Sequence, residues 1–219
     1  MYDAVAIGEL LVDFACQSTD AGGYPVLAAH PGGAPANFLA VLAHYGMKTA
    51  LLAKVGDDVF GRLLCRTAAQ AGIDTVGIVV DGSVFTTLAF VTLDTDGDRD
   101  FSFARKPGAD MLLRYDELNL SLINQTRVFH FGSVSMTDEP SRDATRRAVE
   151  YARDRGKLVT YDPNLRTPLW KDLSQARQEI LWGLSAADVV KISSEEVEFL
   201  WGLPPQDGAE KLLREYPAK

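Results

Sequence analysis

Residues 30–55 read HPGGAPANFLAVLAHYGMKTALLAKV, and a change of rhythm inside them decides the architecture. Pro35 to Tyr45 is spaced as a helix, and Gly46 stands where a left-handed residue ends one. From Thr49 to Val55 the apolar residues run on almost unbroken, as in a strand covered on both faces. A helix handed straight to such a strand points to a parallel sheet between helical layers.

The same alternation extends in both directions. Val5 to Ile7 reads as a strand, and Asp57 to Ala71 as a helix with an Asp start and Gly72 as its stop. Thr75 to Val80, Val128 to Gly132, Leu158 to Asp162 and Asp188 to Ile192 read as further strands. Pro140 to Arg155, Leu173 to Leu184, Ser194 to Trp201 and Gln206 to Tyr216 read as helices. Two segments break the pattern. Val12 to Ala29 carries short strand-like pieces around Asp20-Ala21-Gly22-Gly23, and Thr86 to Phe103 alternates around Asp94-Thr95-Asp96-Gly97-Asp98-Arg99, a hairpin signature. Together, approximately 12–30 and 84–106, they predict a small sheet that projects from the main layer and is able to keep water out of a site.

A chain of 219 residues, 47% of them hydrophobic, buries a sizeable core. Its 22 Lys and Arg against 30 Asp and Glu give a net charge of −8, which argues against a nucleic-acid backbone or an anionic membrane as a general partner. Two cysteines, Cys16 and Cys65, form neither a disulfide framework nor a thiolate metal site, so a reducing, cytoplasmic setting is expected. The chain opens on a strand without a basic leader and long apolar run, and it is expected to be soluble.

Chemistry concentrates where strands give way to helices, the edge at which parallel sheets place ligands. The paired Gly32-Gly33, with Asn37 just inside a helix, admit a close backbone approach to a ligand and equally suit a plain tight turn; they match neither nucleotide-binding glycine fingerprint. Asp13 ends the first strand unit, where a carboxylate accepts polyol hydroxyls or stands solvated in a loop. Arg105 is either a guanidinium aimed at a sugar oxygen or carboxylate, or a surface cation. Phe103 flanks a ligand or fills the hairpin base. In Asp162-Pro163-Asn164-Leu165-Arg166 the proline ends the strand and turns Asn164 and Arg166 outward, as a pocket edge or an Asx turn. Lys191-Ile192-Ser193-Ser194-Glu195-Glu196 is explained by helix capping alone, with organisation of magnesium or phosphate by Glu196 as the functional alternative. His30, His44 and His130, read as turn, helix-face and strand residues, lack metal-ligand spacing, and Cys65 reads as a small core residue.

Taken together, Gly8-Glu9-Leu10-Leu11-Val12-Asp13-Phe14, Gly32-Gly33-Ala34-Pro35-Ala36-Asn37, Phe101-Ser102-Phe103-Ala104-Arg105 with Gly108-Ala109-Asp110, and Asp162-Pro163-Asn164-Leu165-Arg166 resemble the motifs of the PfkB, or ribokinase-like, carbohydrate kinases, in order and spacing. The fructokinase-like branch is the nearest, and Leu39 is bulkier than the small residue usual after that Asn. The resemblance implies an α/β fold, a three-layer α/β/α sandwich with a small β-sheet lid. It also implies ATP-dependent phosphorylation of a sugar hydroxyl, of fructose or alternatively of 2-keto-3-deoxygluconate, helped by Mg2+. Asp13, Gly32, Gly33, Asn37, Phe103, Arg105 and Arg166 would then face the sugar. Asn164, Lys191 and Glu196 would face the nucleotide, with Glu196 near the metal, and Ser193 stands where many relatives carry Asn. A homodimer through paired lids is a further implication. The Gly-Ala-Gly-Asp segment that carries the family's catalytic base is missing from residues 1–219. The expectation is therefore a partial, C-terminally truncated domain, a noncatalytic sugar-binding fragment when taken alone.

Overall fold

The computed structural model describes residues 1–93 and 99–216. In chain order its elements are β1 (Tyr2–Ile7), β2 (Leu11–Thr19), β3 (Pro25–Gly32), α1 (Ala34–His44), β4 (Thr49–Gly56), α2 (Val59–Gln70), β5 (Ile73–Asp74), β6 (Ile78–Asp81), β7 (Leu88–Leu93), β8 (Arg99–Ala104), α3 (Leu120–Asn124), β9 (Thr126–Gly132), α4 (Ser141–Asp154), β10 (Leu158–Asp162), α5 (Leu173–Ala186), β11 (Val189–Val190), α6 (Ser194–Trp201) and α7 (Pro205–Glu215).

The parallel sheet has the order β11-β10-β9-β1-β4-β5, with β6 also paired to β4. Side chains alternate across a strand, so a strand covered on both faces must be apolar at every position. In β1 and β4, Ala4, Ala6, Leu51, Ala53 and Val55 pack with Ala36 and Leu39 of α1 and Leu64 and Ala68 of α2. Their neighbours Val5, Ile7, Ala50 and Leu52 pack on the opposite face in the core built with α3 to α7, through residues such as Ile123, Val149, Ile180 and Leu200. This gives the expected three layers.

A lysine interrupts that core. Lys54 in β4 is 1% exposed, and its ammonium donates to Asp81 at 3.2 Å, to Glu117 at 2.7 Å and to the Leu112 carbonyl at 2.9 Å. All three ammonium protons thus have acceptors, which offset the cost of burying the group.

The projecting sheet has the order β3-β2-β7-β8, with β2 and β7 parallel and the outer pairs antiparallel. Its β7–β8 ladder is the predicted hairpin; the turn assigned to residues 94–98 lies outside the described residues.

Several local readings are corrected. The strand read at Thr75 to Val80 starts only at Ile78, as β6, because Thr75 to Gly77 form a turn closed by the Ile78 N–H on the Thr75 carbonyl; β5 precedes that turn on the same side of β4. The strand read at Asp188 to Ile192 contracts to Val189–Val190. His30 sits in β3 opposite Asp13, where the sequence suggested a turn. The cap of α2 is Asp58 rather than Asp57, its carboxylate accepting from the N–H groups of Phe60 and Gly61. Cys65 packs against the α1–α2 core half-buried, and Cys16 is exposed.

Candidate active site

The carboxyl ends of β1, β9 and β10, the start of α1 and the base of the lid enclose a cavity of about 610 Å³. Its β1 side is built by close packing of backbone. Gly33 has φ 118°, in the region that side chains avoid, and a Cβ there would fall inside contact distance of the Glu9 carbonyl oxygen. A Cβ at Gly32 would overlap the Asp13 carboxylate and Leu11. The paired glycines therefore let the β3–α1 turn lie directly on the β1–β2 loop.

Gly33 is also the cap position of α1, and it has no side chain with which to cap. Glu9 does so from the facing loop: its Oε1 accepts the Ala34 N–H at 2.9 Å. Pro35 brings no N–H of its own, and the Asn37 N–H closes the first turn on the Gly33 carbonyl at 3.0 Å. Glu9 is only 4% exposed, and burial pushes its carboxyl up to about 7, while the hydrogen bond from Ala34 works in the opposite direction.

Around this lock the cavity presents polar groups over apolar walls. Asp13 is half-buried; desolvation raises its carboxyl, against Arg166 and His30, whose fields lower it. Asn37, Asn164, Asp162 and Arg166 face the same space, with Phe38, Phe103 and Leu169 as apolar walls. Phe38 stacks at 4.1 Å on His130, which is 6% exposed, and burial drives the His130 imidazole down to about 4. Asn164 has φ 49°, a left-handed turn that asparagine tolerates, and this turns the chain from β10 into the cavity wall.

Asn164 and Arg166 also border a neighbouring cavity of about 440 Å³, which holds Lys191 and Glu196. Lys191 pairs with Asp162 at 3.0 Å. Glu196 is committed to backbone: one oxygen accepts the Leu165 N–H and the other the Ser193 N–H, both at 2.8 Å. Among the described residues no three His, Cys, Asp or Glu side chains converge as a metal site. In this arrangement Glu196 caps α6 and braces the turn after β10.

Arg105 departs from the sequence reading. Its guanidinium is buried, donating to Asp110, to Thr137 Oγ1 at 2.8 Å and to the Val134 carbonyl at 3.1 Å, and Asp110 is held in turn by the Thr87 hydroxyl. It borders a separate cavity of about 590 Å³ that shares Phe103 and Leu169 with the first. It ties the lid base to the loop after β9. The structure thus brings Asp13, Gly33, Asn37, Phe103, Asn164 and Arg166 to one cavity, holds Gly32 just behind Asp13, and sets Arg105, Lys191 and Glu196 aside from it. Glu9 and Phe38 were not singled out from sequence; a charged residue directly after an apolar strand was the available signal for Glu9.

No helix among the described residues is long and apolar enough to cross a membrane. Residues 1–219 match the profile described as pfkB family carbohydrate kinase. The chain is 46% identical over 201 residues to Fructokinase-1 of Oryza sativa subsp. japonica, covering 91% of this chain and 62% of that protein. It superimposes on the crystal structure of a fructokinase from Xylella fastidiosa with a TM-score of 0.89 at 33% identity, covering 100% of this chain and 69% of that one. The ATP-bound structure of fructokinase from Xylella fastidiosa gives a TM-score of 0.87 at 33% identity, over 100% and 71% of the two chains. The chain spans about three fifths of the length of the curated relatives it matches, 62% for the rice protein.

Proposed function

Since the chain belongs to the pfkB family of carbohydrate kinases, we propose that its cavity holds fructose as a phosphoryl acceptor and that ATP is the donor. The lining of the cavity carries this reading: Glu9 and Asp13, beside Asp162, which Lys191 pairs, stand against Arg166 as the only cation in the lining among the described residues. Carboxylates accept hydrogen bonds from hydroxyls, and the apolar faces of Phe38 and Phe103 suit the C–H faces of a sugar. A keto-deoxy acid would add another anion to a predominantly negative lining, and Arg105 is already neutralised by Asp110. A neutral hexose is therefore favoured over 2-keto-3-deoxygluconate. Relatives named fructokinase, at 46% identity, support the same choice.

Asp13 and Asn37 hold sugar hydroxyls and Arg166 donates to a sugar oxygen. The neighbouring cavity, joined through Asn164 and Arg166, takes the phosphate end of ATP beside Lys191. In the transfer, the bond from the γ-phosphorus to the bridging oxygen breaks toward ADP, a bond to the sugar oxygen forms, and the hydroxyl proton passes to a base. The resemblance gives that base to a Gly-Ala-Gly-Asp segment, which residues 1–219 do not contain. These residues are assigned acceptor binding and orientation, and magnesium has no part in the steps assigned to them.

Calorimetry on the 219-residue chain tests the reading. Fructose is expected to bind more tightly than 2-keto-3-deoxygluconate, and Asp13→Ala to weaken fructose binding by roughly thirtyfold, the loss of charge-assisted hydrogen bonds. Tighter binding of the acid, or fructose binding indifferent to Asp13, would contradict it. Phosphorylation of fructose by the 219-residue chain would contradict the assignment of binding without turnover.

A further inference from the structure

Glu9 is an expensive residue to keep where it is. It is 4% exposed, at the wall of the cavity, and its Oε1 accepts the Ala34 N–H at the start of α1. Glutamine would also offer that amide an oxygen acceptor, and it carries no charge to desolvate. A carboxylate in this place needs another reason.

The groups facing it supply one. From the turn after β8 come Asp110 and Arg105, already paired with each other, whose fields push the Glu9 carboxyl in opposite directions. Across the cavity stand Asp13 on β2 and Asp162 and Arg166 after β10, while His30 on β3 acts on Asp13. The helix start held by Glu9 includes Gly33, and Asn37 lies one turn further on, so that whatever moves the Glu9–Ala34 contact moves the acceptor wall.

Resting on the acceptor reading above, we propose that Glu9 is a positioning residue whose ionised carboxylate draws the Gly33–Asn37 segment onto the β1–β2 loop, so that the cavity binds its sugar more tightly with Glu9 charged than with Glu9 protonated. The charged oxygen is the stronger acceptor for the Ala34 N–H, whereas a protonated carboxyl offers only its carbonyl oxygen and turns a donor toward a helix end that is itself rich in donors. Because burial raises this carboxyl to about 7, the change falls near neutral pH. The same displacement makes the ionised group a cost to the fold, and Glu9 is retained because the site uses its charge.

The test follows the Ala34 and Asn37 amides by NMR in the 219-residue chain from pH 5.5 to 8.5, alongside fructose affinity by calorimetry, in the wild type and in Glu9→Gln. In the wild type both amides are expected to titrate with a midpoint near 7, and fructose affinity to rise about tenfold from pH 6 to pH 8, the worth of one charge-assisted hydrogen bond. Glu9→Gln keeps an oxygen acceptor for Ala34; its amides should not titrate there, and its affinity should be low and insensitive to pH. Asp13 and His30 are intact in that variant, so pH dependence that persists in Glu9→Gln comes from a group other than Glu9 and overturns the proposal, as do wild-type amides that fail to titrate. Fructose binding at no pH would sink the acceptor reading instead, and the amide titration would then decide the role of Glu9 independently.

Discussion

Helices α1 and α6 both begin at the carboxyl edge of the sheet, and their first turns are closed in different ways. At α6 the cap is local: Ser193 Oγ accepts the Glu196 N–H at 3.2 Å, and Glu196 returns an oxygen to the Ser193 N–H. At α1 the cap position is Gly33, and the acceptor arrives from Glu9, 25 residues earlier. A capping box is complete as soon as its helix forms. A cap borrowed from another strand exists only once the strands are assembled, which makes the start of α1 answer to the state of the site around it.

The comparison breaks most sharply at Gly33. Gly33→Ala places a Cβ against the Glu9 carbonyl at φ 118°. It is expected to cost about 4 kcal/mol from backbone strain plus overpacking, read by urea denaturation, and to remove fructose binding. A loss within experimental error would mean that the β1–β2 loop yields freely and that α1 does not depend on it.

At α6 the counterpart is Glu196→Ala, which strips the acceptors from Leu165 and Ser193 together. A loss of about 3 kcal/mol is expected for two backbone donors left without partners, again by denaturation, with little change in fructose affinity because Glu196 stands outside the cavity that Asp13 and Asn37 line. Fructose affinity falling in parallel with stability would erase the functional difference between the two helix starts.

The smallest effect separates the remote cap by pH. Glu9 has a folded value of about 7 against an ordinary 4.5. The unfolded chain therefore ionises first, and the stability that Glu9 contributes is full below 4.5 and is lost as pH rises to about 7. The stability of Glu9→Gln minus that of the wild type should accordingly grow across that window, by about 2 kcal/mol after allowance for relaxation of the buried charge. His130 acts in the other direction: its folded value of about 4 lies below the ordinary 6.5, so its contribution is present above 6.5 and is lost as pH falls toward 4. Since both variants keep His130, subtraction leaves Glu9 alone, and a flat difference would remove the electrostatic distinction between the two helices.

Most of the architecture was legible as local order. Unbroken apolar strands, helical spacing and glycine stops at Gly46, Gly72 and Gly156 identify a parallel sheet between helical layers, because each depends on neighbours a few residues away. The helix cap at Ser193 and the cavity residues Asp13, Asn37 and Arg166 could be named on similar grounds or by resemblance. Where a reading went astray, a longer-range contact had intervened. The strand read at Thr75 to Val80 begins only at Ile78, after a turn beside β4, and the Arg105 guanidinium is taken up by Asp110, Thr137 and Val134.

Amino-acid order thus settled the layers, the lid and the local caps, all of which follow from periodicity and from hydrogen bonds within one turn of chain. Which carboxylate is buried against the start of α1, which arginine is consumed in the lid base and which remains at the cavity were settled by folding. Burial and charge pairing are properties of groups brought together from distant parts of the chain, and their energies do not exist until the sheet has set those groups side by side.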